Sequence, residues 1–579
     1  MTHSLDPIAS AALASILTGE VGCGTSHVLA VTSVTQSVGG IVSAPVSRPH
    51  YSRRDFLRFS GMLGAAAVVT ANISACQSGP ASTSSVGAGA DKDLVTAVIG
   101  YGNDQSWDPT MTASAFSMAA NNHIYEGLIE TDPVTREPYP ALATALPTDT
   151  ASTAWRFTLR EGATWHDGQK VTVDDVLFTF ERVLDKSTLV SSFFRAWLKE
   201  VRRVDDRSVE LVFHFPFPDA LRRLSIAKIM PKHVFGAPGG WDAAKGGKAV
   251  GSGPYRLTAH NPKSNTTFEA YADYNGPRKA RFKKMNWLSI VDSSARVAKI
   301  SGGSAEAQIA DNIPYANIDQ LKKSGLTVEG GKGMNHMFLM FNTGAKPFDD
   351  VRVRQALLYA IDTRKMIDVA LKGHGTASTS FLNEQNPSYA KAKTVYSYDP
   401  AKAKSLLAAA GVTNLSITLM AVNVSWIADC LPTIANSWNA IGVKTTLQPQ
   451  DTSALFTKMD QSQDYQVVAA ASNPNQFGLD ADLILRYNYS PGGTWMKYTK
   501  WDSSAEAKSL FALMDQATRE PDQSRKLALT HQYLDVIAEQ AVLYPVVHTE
   551  LMTAWDPKRL TGIRPQAYPG INLLQAERV

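Results

Sequence analysis

The chain has 579 residues, 44% of them apolar, with 57 basic residues against 53 acidic for a formal charge of +4. That length and apolar share allow several packed cores and exclude a low-complexity chain, and so small a charge offers no electrostatic case for nucleic acid. The only cysteines, Cys23, Cys76 and Cys430, exclude a disulfide framework.

In chain order, the segment before Tyr51 is low in charge and rich in Ser, Val, Thr and Ala. It is either a long n-region or the product of an early-assigned start, and in both cases stands apart from the folded body. Ser52-Arg53-Arg54-Asp55-Phe56-Leu57-Arg58 follows, then an uncharged run from Phe59 to Ala75. A basic head, an apolar run and small residues at its end are the parts of a secretory signal, and the pair Arg53-Arg54 points to the twin-arginine route. The run is too short and too rich in Gly, Ala, Ser and Thr for a membrane span. Cys76, directly after Ser74 and Ala75, resembles the lipobox of bacterial lipoproteins, whose thiol takes a diacylglyceryl group and becomes the mature N-terminus. At roughly 0.8 kcal/mol per buried acyl carbon, two long chains hold a body to a membrane surface without a spanning helix. The rival readings are a plain signal peptide with an incidental cysteine and a buried apolar helix. The expected boundaries are a signal region over 1–75 and a flexible tether over 76–90, all small or polar. Without the four basic and three acidic residues of the presegment the body carries a formal +3. Its one remaining thiol, Cys430 between Ile427 and Leu431, reads as a small buried hydrophobe.

From Ala154, Trp155, Phe157 and Leu159 alternate with Arg156, Thr158 and Arg160, the period of a half-buried strand. His166-Asp167-Gly168 is a turn. Thr172 is an N-cap with Asp175 three residues on, and Val173, Val176, Leu177, Phe180 and Leu184 recur at helical spacing. A strand is expected over Val209–Phe215, and Gly251-Ser252-Gly253-Pro254 opens a β-rich stretch through Phe268. After Asn342 the character changes. Asp350 begins a helix carrying Val353, Leu357, Ala360 and Ile361, and Gly373 closes a second. Asp399-Pro400 starts another that Gly411 stops. A strand from Leu415 to Leu419, a helix from Trp426 to Ile441 ended by Gly442, and a strand from Val443 to Leu447 make a βαβ unit, hence a parallel sheet. Two longer helices, Ser503–Arg519 and Asp522–Glu539, lead to an apolar strand at Val542–His548. There is no repeat of solenoid period.

Four blocks together resemble the extracellular solute-binding proteins, family 5, that serve oligopeptide, dipeptide and nickel ABC importers. They are Trp107-Asp108-Pro109 with Asn122-His123-Ile124-Tyr125-Glu126-Gly127-Leu128; Trp155 to Gly162 through His166-Asp167-Gly168 to Thr172-Val173-Asp174-Asp175-Val176; Gly251 to Tyr255 with Tyr271-Ala272-Asp273-Tyr274; and Phe341-Asn342-Thr343 with Phe348 to Ala356. The resemblance covers nearly all of the mature chain. It implies an α/β fold, a two-lobed periplasmic-binding-protein-like clamp (type II, cluster C) with an extra subdomain in the first lobe. The boundaries it implies are lobe I over 91–341 including a subdomain over about 135–248, lobe II over 342–546, and a return to lobe I over 547–579. Most motif residues are expected to be structural: Tyr125, Leu128 and Leu357 as core, Arg352 and Arg354 as helix-surface or inter-element ion pairs.

A clamp driven from 1:99 to 99:1 needs roughly 5.5 kcal/mol of differential affinity, so one charged hydrogen bond is not enough and the ligand must touch both lobes. By resemblance, Asn103, Gln105 and Trp107 supply one wall, and Asn342 and His548 lie near the floor. The opposite wall comes from the segment after Tyr465-Gln466-Val467-Val468, with Asn473, Asn475, Phe477 and Asp480; Trp495 could line the same side, as could Tyr498. Peptide binders carry a Trp and, a few residues on, an aspartate that pairs with the ligand's ammonium, where this sequence has Ala471 and Asn473. Either Asp480 or Asp482 takes that role, or the ligand has no free ammonium; the segment also reads as an ordinary Asn/Pro/Gly turn. The implied function is that of a substrate-binding lipoprotein delivering a peptide or similar small polar solute to an ABC permease in the membrane, as a monomer without cofactor or metal. The alternatives are a non-peptide ligand such as a metal chelate or glycoside, a sensor, and a secreted hydrolase. No nucleophile elbow, His-Glu-x-x-His helix, P-loop or Gly-x-Gly-x-x-Gly turn is present to support an enzyme.

Overall fold

The computed structural model describes residues 93–579 except 101–105, 112–113, 134, 246–247, 263, 303–305, 473–479, 492–494 and 567–569. The expected signal region, tether and lipidation site, with Arg53, Arg54 and Cys76, lie outside the described residues, as do the wall candidates Asn103, Gln105, Asn473, Asn475 and Phe477.

The elements in chain order are β1 (Leu94–Ile99), α1 (Ala115–Ile124), β2 (Ala154–Thr158), α2 (Val173–Leu184), β3 (Leu198–Arg203), β4 (Ser208–Phe213), β5 (Tyr255–His260), β6 (Asn265–Ala270), β7 (Lys284–Ser289), β8 (Ile309–Ala310), β9 (Thr327–Phe341), α3 (Val351–Tyr359), β10 (Gly375–Ala377), α4 (Pro400–Ala409), β11 (Ser416–Val422), α5 (Ser425–Ala440), β12 (Lys444–Gln450), β13 (Val467–Ser472), α6 (Ala481–Tyr489), α7 (Ala505–Arg519), α8 (Gln523–Gln540) and β14 (Leu543–Trp555). Further helices, among them Ser293–Ser301 and Thr452–Gln461, and short strands fill the spaces between them.

One sheet of 11 strands runs through the molecule in the order β12-β11-β13-β9-β14-β8-β1-β7-β6-β5, with β10 attached to β14. The expected βαβ unit is present: β11 pairs in parallel with both β12 and β13. β1 pairs in parallel with β7 and β8, and the long strands β9 and β14 pair antiparallel in the middle. These two carry the chain between the sheet's halves.

The apolar residues gather in three cores. One spans the β9–β14 region and the helices after it. A second gathers residues from Leu128 to Ile229 around β2, β3, β4 and α2, and takes in Leu483 of α6. A third packs β1, α1 and β5–β7 with the C-terminal segment through Ile571, Leu573 and Ala576. In the second core Trp197 meets Phe213 edge-on at 5.3 Å and stacks on Phe217 at 5.1 Å, a contact of rings worth about 1 kcal/mol beyond area.

Local chemistry explains the element ends. Asp175 accepts from the backbone N–H of Thr172 at 2.8 Å and from its hydroxyl at 2.9 Å, so the predicted cap of α2 closes on itself. Asp350 caps α3 and Asp399 caps α4, with Pro400 at the first turn. The Gly251–Gly253 stretch packs directly on the end of α1. A Cβ on Gly251 would lie 1.9 Å from the Ile124 carbonyl oxygen, so no larger residue fits there. Cys430 is buried, as expected for a small hydrophobe.

Arg352 pairs with Asp350 at 2.6 Å, the ion pair the sequence suggests. Arg354 does not. Its buried guanidinium donates to carbonyl oxygens alone, Gln540 at 2.9 and 2.7 Å, Phe348 at 2.8 Å and Asp349 at 3.1 Å. It thereby satisfies the end of α8 and the turn before α3 at once, a role in which its fixed fork of donors is suited.

Candidate ligand-binding site

The register of β9 on β14 sets His336 opposite His548; Ser472 of β13 adjoins His336, and Thr376 of β10 adjoins His548. One row of residues therefore crosses four strands. The two imidazoles meet edge to face with centroids 5.5 Å apart, and Phe381 meets His336 at 5.2 Å. β9 slips register between Gly331 and Asn335 and again between Met337 and Phe338, so a bulge lies on each side of His336. Bulges of this kind re-aim side chains out of the regular alternation.

Asn335, His336, Ser378, Ser380 and His548 are all buried. Nδ1 of His336 lies 3.1 Å from the Met334 carbonyl, and Nε2 of His548 lies 3.4 Å from the Ser380 carbonyl. The remaining polar atoms of this group have no hydrogen-bond partner among the described residues: His336 Nε2, His548 Nδ1, both amide atoms of Asn335, and the hydroxyls of Ser378 and Ser380. Folded proteins pair nearly all buried polar groups, because each one left unpaired costs about 1–3 kcal/mol. Six such atoms, on β9, on β14 and just after β10, gather around this row with hydrogen-bonding capacity unused among the described residues.

Burial pushes the His336 imidazolium down to about 3, with the neighbouring His548 acting in the same direction, and pushes His548 down to about 4. Both rings are neutral at pH 7, each with one donor and one acceptor nitrogen. The row and its neighbours thus carry uncharged imidazole, amide and hydroxyl groups beside the rings of Phe338 and Phe381. No group of three or more His, Cys, Asp or Glu able to hold a metal ion occurs among the described residues.

Of the described wall and floor candidates, His548 stands in this row. Trp495 is next to it in space through Phe338, whose ring it meets at 4.8 Å. The others are engaged elsewhere. Trp107 is enclosed in the third core and meets His260 edge-on at 5.1 Å. Asn342 donates to the Tyr465 carbonyl at 2.9 Å and accepts from the Gly344 N–H at 3.1 Å, which ties the end of β9 to the start of β13. Asp480 caps α6 through the Leu483 N–H at 3.1 Å and pairs with Arg223 at 2.6 Å, and Asp482 pairs with the same Arg223 at 2.7 Å. Tyr498 covers Phe456 and Lys497 rather than the row. Sequence reasoning did not single out Asn335, His336, Ser378 or Ser380. The available signal was the polar pair Asn335-His336 inside an otherwise apolar run from Met334 to Phe341.

The sequence profile of the bacterial extracellular solute-binding proteins, family 5, matches residues 137–495, and that of the twin-arginine translocation signal matches residues 50–70. The chain belongs to family 5 of the bacterial extracellular solute-binding proteins. Its family is one of binding proteins rather than enzymes, and its signal is one of export. Among the described residues no helix is long and apolar enough to cross a membrane.

Among its family 5 relatives, di/tripeptide-binding protein 1 of Pseudomonas aeruginosa is 26% identical over 505 residues, covering 79% of this chain and 89% of that protein. The dipeptide-binding protein of Pseudoalteromonas sp. SM9913, solved with Met-Leu, superposes with a TM-score of 0.71 at 21% identity over 84% of this chain and 100% of the other. MoaA of A. tumefaciens R10, solved with mannopinic acid, superposes with a TM-score of 0.73 at 22% identity over 84% and 99%. The α/β fold is thus that of the periplasmic binding proteins of the peptide-binding type.

The buried histidines couple stability to pH. The unfolded chain protonates His336 near 6.5 and the folded chain only near 3, so between those values the unfolded state binds more protons and stability falls as pH falls. His123 and His548, also lowered to about 4 by burial, add to this, while the buried carboxyls of Glu126 and Asp311, raised by burial, oppose it. Comparison of the native chain with His336→Phe isolates one group. From pH 6.5 to 4 the native chain should lose about 1.4 kcal/mol per pH unit more than the variant, measured by calorimetry at stepped pH. Parallel profiles would show that His336 is not held neutral.

Proposed function

We propose that this solute-binding protein is the capturing component of an ABC importer, taking a short peptide or a similar small polar solute beside the paired strands β9 and β14. In this reading the two halves of the sheet, over about 91–341 and 342–546 with a return over 547–579, form lobes that close on the solute and present it to a membrane permease. Cys76 carries a lipid anchor at the outer face of the cytoplasmic membrane, and the protein works as a monomer. The observation that carries the reading is the set of buried neutral polar groups, unpaired among the described residues, on and beside these two strands. The di- and tripeptide-binding relatives favour peptides, and the structural neighbour holding mannopinic acid supports the wider class of polar solutes.

Native mass spectrometry of the purified chain against a dipeptide panel, followed by X-ray scattering of the best binder's complex, tests this. A 1:1 complex and a smaller radius of gyration are expected. Absence of any complex over the panel, with compaction by an opine or sugar acid instead, would move the ligand out of the peptide class.

A further inference from the structure

Arg223 ends the short helix Ala220–Arg223 and is only 1% exposed. Its Nε donates to Asp480 at 2.6 Å and its Nη2 to Asp482 at 2.7 Å, while its guanidinium lies 4.8 Å from the centre of the Phe217 ring. The second oxygen of Asp482 accepts from Arg486 Nε at 2.8 Å and from the Thr518 hydroxyl at 3.0 Å, and Arg486 reaches on to Asp515 at 2.8 Å. Beside this group Lys526 pairs with Asp219 and lies over the same Phe217 ring.

The bonds from residues 217–223 run to the N-cap and first turn of α6 and to Lys526 of α8, and α7 joins through Asp482 and Arg486. Phe217, Ala220 and Leu224 belong to the Leu128–Ile229 core, whereas Ile484, Leu485 and Tyr489 of α6 belong to the core built on β9 and β14. Two side chains of α6 add apolar contact across this joint: Leu483 is buried in the second core, and the half-buried Tyr487 packs against both cores. The joint is therefore polar at its centre and narrow. A buried guanidinium between two carboxylates can part without stranding a charge here: Arg223 and Asp480 are freed to solvent, while Asp482 keeps Arg486 and the Thr518 hydroxyl as partners.

We propose that Arg223 is the positioning residue of solute capture, a clamp that holds the Leu128–Ile229 core against α6 through Asp480 and Asp482 and so sets how long a captured solute stays. This rests on the capture reading above. It assigns to Arg223 no contact with the solute. Its effect passes through the two aspartates and appears in the escape rate rather than in the encounter rate.

The test compares the full native chain with Arg223→Met, Arg223→Lys and Asp480→Asn. Hydrogen exchange should become at least about tenfold faster over residues 208–224 and 481–489 in Arg223→Met, with β1, β9 and β14 unchanged and the radius of gyration in solution increased. Arg223→Lys, a single donor head in place of a fork, should restore part of the protection. With a dialysed casein hydrolysate as probe, the component retained by the native chain should leave Arg223→Met at least about tenfold faster at an unchanged association rate.

Exchange and scattering identical to the native chain would overturn the clamp. Should Arg223→Met lose protection throughout, Asp480→Asn decides, because it leaves Arg223 paired with Asp482: acceleration confined to the two segments supports the clamp and none overturns it. A native chain that retains nothing from the hydrolysate while Arg223→Met shows the local opening removes the peptide reading and keeps the clamp.

Discussion

Arg354→Met should lower the unfolding free energy by about 4 kcal/mol, among the largest effects of any single substitution outside the apolar cores. The native guanidinium serves the carbonyls of Gln540, Phe348 and Asp349 from a buried position, and burial with no carboxylate in direct contact draws its pKa down to about 10. Methionine fills much of the same space but donates nothing, so the buried Phe348 carbonyl loses its partner at about 1–3 kcal/mol, and the half-buried bonds to Gln540 and Asp349 add smaller losses that water entry partly relieves. Arg354→Lys reaches fewer of them and should fall between the two. Calorimetry checks the order native, lysine, methionine. Equal melting of all three would mean that the carbonyls find other donors.

His336→Phe should do the reverse, weakening solute binding by at least about tenfold while leaving stability at pH 7 unchanged or raised by about 1 kcal/mol. The ring already sits against Phe381 and Phe338, with Nε2 buried and without a partner among the described residues, so a benzene ring removes an unpaired polar atom from an aromatic setting. What stability gains, recognition loses, since a hydrogen bond to bound solute is worth about 0.5–1.5 kcal/mol, and the mismatch of a polar solute group against phenyl adds to that. Ser380→Ala should show the same opposition at smaller size. Titration with the tightest dipeptide of a panel, alongside melting, separates the two effects. Unchanged affinity in His336→Phe would take this row out of the binding site.

Where a structural rule acts within a few residues, it could be read from the sequence. The alternation Trp155, Phe157, Leu159 became β2, the Thr172–Asp175 pair became the cap of α2, and Asp399-Pro400 with Gly411 bounded α4. The helix expected over Trp426–Ile441 formed with Pro432 inside it, because buried Ile427, Cys430, Leu431 and Ile434 outweigh one lost hydrogen bond. β9 was legible only at its end. Gly330, Gly331 and Gly333 hide the rest of the strand, which pairs with β14 at Gly330 and Gly331 and resumes its pairing at Asn335 after a register slip.

Of the residues in the candidate row, the sequence reading named His548, through the family resemblance, and beside the row it named Trp495 as an aromatic that could line the same side. His336 lies in a strand buried on both faces, where no alternation marks which residue turns toward a ligand. Arg223 meets Asp480 across 257 residues of chain, a pairing no local pattern encodes. The two aspartates could be singled out from sequence, but not the cation that receives them.

The two register slips in β9 bracket His336 at Gly331–Asn335 and Met337–Phe338. A ladder bends most easily where its hydrogen bonds are already out of step. The pairing of His336 with His548 thus lies on a locally bent stretch of ladder, and the mutual ring-current shift of the two imidazoles should report any change of twist there.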